Sequence, residues 1–168
     1  MGNGCTKDNE NIYFRCRKEA AVYNDKLNSR EGAAELLGVS VSSLADYELG
    51  NTKVVPVDKV VLMADLYNAP QLLNIYCSTE CPIGCRRPTE TEVQSLERIV
   101  CRLTDVLTSE TLGKYMKQLT HIAIDGRVNP DERDQMNEIV EYMKRLRLIV
   151  EGLILFDDKR RGCEDDKR

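Results

Sequence analysis

The stretch SREGAAELLGVSVSSLADYELGN, Ser29 to Asn51, decides how this chain is read. Ser29 is a good N-cap, and Ala33, Leu36 and Leu37 then fall on one face of a helix. Gly38 stands where a left-handed residue is wanted, and Ser40 can cap a second helix two residues later. Two short helices joined by so tight a turn make a helix-turn-helix arrangement. The second helix, Val41 to Leu49, buries Leu44 and Tyr47 and stops at Gly50. It carries no lysine and no arginine.

Working outward, Asn11 to Tyr23 places Ile12, Cys16, Glu19, Ala20 and Tyr23 at helical spacing, which predicts a first helix. Downstream, VDKVVLMADLYN after Pro56 predicts a fourth, with Val57, Val60, Val61, Ala64 and Leu66 available to the core. Pro70 opens a fifth. Residues 11–76 thus form a five-helix unit.

The wording of SREGAAELLGVSVSSLADYELGN and of VVPVDKVVLMADLYNAPQLL resembles the phage-repressor-like (Cro-type, XRE) helix-turn-helix family over roughly residues 15 to 76. It is similar in particular to Gram-positive bacterial and prophage regulators that continue into YC…CPIG. The resemblance implies a lambda-repressor-like fold and binding to double-stranded DNA. By position it implies that Arg30 reaches the DNA backbone and that Ser40, Val41, Ser42, Ser43 and Asp46 lie on the reading side of the recognition helix. Asn51, Thr52 and Lys53 would form the loop that grips phosphate. It also implies that Glu48 pairs with a first-helix arginine, for which Arg17 is the candidate, although this chain carries an insertion between Arg17 and the second helix.

Charge constrains how such a helix works. The chain has a net charge of −4, and residues 11–76 hold seven basic and eight acidic side chains, a net of −1. Bidentate guanine reading needs Arg or Lys. What remains is a valine methyl for thymine, serine hydroxyls, and an aspartate that accepts from a cytosine amino group. Each contact contributes at most about 1–3 kcal/mol of discrimination, so two half-sites, and hence a dimer, are required.

YCSTECPIGCRRP forms a hinge over residues 77–88, with Cys77, Cys81 and Cys85 four apart. Pro82 and Gly84 interrupt any helix there. The three thiols are candidate metal ligands, but the spacing lacks the second ligand pair of ordinary zinc motifs, so packing is the expected role and no metal or other cofactor is expected. Seven scattered cysteines point away from a disulfide framework and to a reducing cytoplasm.

Residues 89–157 read as a helical oligomerisation region of three helices. Thr89 and Glu92 form a capping box. Val93, Leu96, Val100, Leu103 and Leu107 alternate by three and four, the seam of a coiled coil. A second helix carries Leu112, Met116, Leu119 and Ile122 inward. DGRVNPDE imitates the back half of a calcium loop, but His121 and Ala123 would occupy the first ligand positions, so it reads as a turn in which Asn129 caps and Pro130 starts the last helix. That helix, to about Phe156, repeats the seam with Ile139, Met143, Leu146, Val150 and Leu153. These stripes predict a homodimer, and residues 158–168 read as a disordered tail.

The fold expected is therefore all-α: a five-helix DNA-binding domain followed by a coiled-coil-like dimerisation region. No apolar run is long enough to span a membrane. MGNGCT fits a myristoylation pattern at Gly2 with Cys5 beside it, but reads as a frayed polar terminus. No nucleophile constellation or phosphate loop points to an enzyme or to a small-molecule substrate. The function expected is a cytoplasmic, dimeric, sequence-specific transcriptional regulator, a repressor. The rival is a protein-interaction adapter on the same fold, sensing metal or redox state through the cysteine hinge.

Overall fold

The side chain of Asn11 accepts the Tyr13 amide and starts α1, Ile12–Ala20. This computed structural model describes residues 11–165, so Gly2 and Cys5 lie outside the described residues. Every regular element among them is helical. The chain leaves α1 at Ala20, earlier than Tyr23, and makes a short 3-10 turn, Asp25–Asn28, started by the Asn24 side chain.

Helices α2, Arg30–Leu37, and α3, Val41–Leu49, begin as the local chemistry dictates. Ser29 Oγ accepts from Gly32 N at 3.0 Å, and Ser40 Oγ from Ser43 N at 3.0 Å. Gly38 and Gly50 end the two helices at φ 61° and 70°, where a side chain would be strained. Then come α4, Val57–Leu66, and α5, Gln71–Thr79. Asn68 makes the turn between them at φ 45°, the one non-glycine residue with positive φ among the described residues.

Leu27, Ala33, Leu44, Met63 and Leu72 are fully enclosed and draw α2 to α5 around the turn after α1. Burying one leucine contributes roughly 1.5–3 kcal/mol, so each is a substantial fraction of a small domain's stability. The inward face of α4 differs from expectation. Val60, Met63 and Ala64 are buried, whereas Val57 and Val61 are exposed at 59% and 43% and Leu66 is half-buried. Val57 and Val61 are four apart and share an outward face. VDKVVLMADL is apolar nearly all round, so spacing alone does not choose.

The chain divides into two compact units: residues up to Thr91 together with those from Asp158 on, and Glu92–Asp157. The second holds α6, Leu96–Val106, α7, Ser109–Ile122, and α8, Arg133–Asp165, as far as Asp157. Thr89 does not start α6. Ser95 does, accepting from Arg98 N, while Asn74 Nδ2 donates to Glu90 O at 2.7 Å and ties that segment to α5 in non-helical form. Between α7 and α8, Gly126 turns at φ 69°, Asn129 Nδ2 donates to Asp125 Oδ2, and Glu132 Oε2 accepts from Asn129 N. The last helix therefore begins at Arg133, three residues beyond Pro130.

Ile99, Tyr115, Ile122, Ile139 and Tyr142 form the buried side of this unit, with the Tyr115 and Tyr142 rings 4.5 Å apart. Of the expected seams Ile122 and Ile139 are buried, while most other members are not. Leu96, Val100 and Leu107 on and after α6, Leu112 and Met116 on α7, and Met143, Val150 and Leu153 on α8 are all between 37% and 51% exposed. Residues 158–165, expected as a disordered tail, continue α8 and belong to the first unit.

Candidate nucleic-acid interface

Glu48 sets the geometry. It lies on the inner face of α3, fully buried, and Arg17 from α1 grips it with both arms: Nε to Oε1 at 2.5 Å and Nη2 to Oε2 at 3.0 Å. Arg30, at the first position of α2, adds Nε to Oε2 at 2.7 Å. One carboxylate thereby ties three helices, two of them the halves of the helix-turn-helix. The insertion that separates Arg17 from α2 strengthens the arrangement, because its 3-10 turn offers the Leu27 carbonyl to Arg17 Nη1 at 2.8 Å. A buried ion pair is tolerated only when its remaining donors are satisfied in this way.

With Leu44 and Glu48 facing in, the opposite edge of α3 faces solvent. Ser40, Val41, Ser42 and Asp46 are exposed there and Ser43 is half-buried. The three serine hydroxyls form a cluster, Ser40 Oγ lying 2.9 Å from Ser42 Oγ and 2.8 Å from Ser43 Oγ. Asp46 accepts from Asn51 Nδ2 at 3.2 Å, and its backbone carbonyl accepts from the amides of Asn51 and Thr52. The structure thus links the aspartate of the helix to the loop Asn51–Lys53 that follows. Of the residues singled out in the sequence, those of α3 and this loop are contiguous. Arg30 differs, since its Nε is engaged with Glu48 and its side chain is 28% exposed.

Another anchoring group, Glu80, has no signal in the sequence. Glu80, at the end of α5, accepts from Tyr13 Oη at 2.9 Å and from Val55 N at 2.8 Å, which fixes the loop after α3 to α1. Burial pushes the Tyr13 hydroxyl far above the ordinary tyrosine range, with the Glu80 carboxylate adding to the effect. Burial likewise raises the Cys16 thiol to about 11. Cys16 is therefore a core side chain. Cys77 and Cys85 are exposed and Cys81 half-buried, and among the described residues no three His, Cys, Asp or Glu side chains converge as a metal site.

Residues 17–73 match a family model described as a helix-turn-helix domain. This segment is a helix-turn-helix domain. No curated protein and no solved structure matches the chain. The match begins at Arg17 and ends one residue after Leu72, so it takes in both ends of the buried arginine-glutamate pair and the α5 core leucine. Among the described residues no helix is long and apolar enough to cross a membrane.

Proposed function

We propose that this protein is a sequence-specific, dimeric DNA-binding transcriptional regulator, a repressor, whose helix α3 enters the major groove of double-stranded DNA. The observation that carries the reading is the exposed edge Val41, Ser42 and Asp46 on a helix whose back is fixed by the Arg17–Glu48–Arg30 cluster. A rigidly held helix with methyl, hydroxyl and carboxylate groups outward has the donors, acceptors and apolar contact that base edges require. The loop Asn51–Lys53, of which Asn51 and Thr52 bond to Asp46, supplies amides and one lysine for phosphate in this reading. Repression follows from occupancy of a site, which needs no second activity from the chain. In this reading the regulator acts in the cytoplasm.

A second reading has its own support. Val54, Val57, Val61 and Leu62 are 43–59% exposed on the outer side of the domain, and its charge is slightly acidic, which suits an adapter that docks a protein partner. The two are separated by selecting bound sequences from a random duplex library. The regulator yields a two-fold symmetric site, and replacing Ser42 and Asp46 together with alanine abolishes binding to it while leaving the thermal transition in place. Binding that survives the double substitution would move the reading face elsewhere, and no selected sequence at all would favour the adapter.

A further inference from the structure

Helix α8 carries an apolar stripe that its own unit leaves partly exposed. Val140, Met143, Arg147, Val150 and Ile154 are spaced three, four, three and four residues apart. At 3.6 residues per turn they occupy a strip about 100° around the helix from the core line of Ile139, Tyr142 and Ile149. The four apolar members are 37–54% exposed, whereas the core line is 1–4% exposed. A regular heptad stripe beside a separate core face is the pattern of a helix that meets a second helix.

The charges at its border select the partner and its direction. Lys144 follows Met143 and Glu151 follows Val150, each one position off the stripe on the same side. In an antiparallel pair of two α8 helices centred on Arg147, Val140 meets Ile154 of the second copy, and Lys144 comes opposite Glu151 twice by symmetry. In a parallel pair the flanking residues brought to Lys144 and Glu151 are Ile139 and Leu146, which offer no charge, and Ile139 is buried in its own unit. The two Arg147 side chains at the centre bring their own counter-charges, since Arg147 Nε lies 3.5 Å from Glu151 Oε1 within one copy. The present partner of Lys144, Glu141, is an exposed ion pair that exchanges at little cost.

We propose that α8 pairs antiparallel with α8 of a second copy of this chain, through Val140, Met143, Val150 and Ile154 with Arg147 at the two-fold axis. The inference rests on the dimeric reading above and supplies its partner, face and direction. A closed two-fold pair of this kind matches the symmetry of a palindromic site.

The test uses full-length protein without DNA, so that its failure is distinct from failure of DNA recognition. Sedimentation velocity over a concentration series should show a dimer, and Val150→Glu should weaken it by at least about tenfold with an unchanged far-ultraviolet circular dichroism spectrum. Lys144→Glu should also weaken it, and more at low salt than at high salt, as an ion pair across the interface requires. Protein carrying Val140→Cys, mixed with protein carrying Ile154→Cys and mildly oxidised, should give peptides linked between positions 140 and 154. A chain that stays monomeric, or links joining position 140 to itself, would overturn the proposal.

Discussion

Glu48 is the residue on which the helix-turn-helix depends. A carboxylate at zero exposure is costly unless its charge is met, and here two guanidiniums meet it. Replacing Glu48 with alanine leaves Arg17 buried and unpaired, and should lower the unfolding free energy by about 3–5 kcal/mol. Urea denaturation measures this directly, and a loss below about 1 kcal/mol would contradict the role assigned to the cluster. The Arg17 to Glu48 pairing was legible in the sequence only through family likeness. A lone glutamate on a helix otherwise reads as solvated surface, and nothing in its spacing announces burial. Family likeness assigns Arg30 to the DNA backbone, whereas its Nε faces inward to Glu48.

Among the elements, what the sequence made legible was whatever depends on neighbouring residues. Ser29, Ser40, Gly38 and Gly50 start and stop their helices through contacts three or four residues away, so their roles could be read from the chain. The start of α6 could not, because Ser95 and Thr89 are both competent caps, and the segment between them carries a long-range hydrogen bond from Asn74 to the Glu90 carbonyl that the local sequence does not announce. The inward faces of α4 and α8 also escaped, since both helices carry more apolar positions than one face can hold.

The end of α8 is a third case. KRRGC looks solvated, yet Asn68 donates to Lys159 O and to Cys163 Sγ, both at 3.2 Å, and its own carbonyl accepts from Lys159 Nζ. Asn68→Gly keeps the positive φ of the turn but removes the two donated hydrogen bonds, and should reduce stability by about 1–2 kcal/mol. A thermal melt unchanged by this substitution would show that the contact contributes nothing.

At the scale of the whole molecule, the proposed regulator pairs two nearly neutral heads, each reading base edges with short polar groups and a valine methyl. A net charge of −4 makes the electrostatic share of binding small. The most direct test is the salt dependence of binding to double-stranded DNA. The account predicts measurable binding whose logarithmic affinity falls linearly with the logarithm of salt concentration, at about −0.9 per phosphate contacted, and which is tightest on the selected two-fold symmetric site. Absence of binding at low salt to every duplex, random or selected, would contradict it.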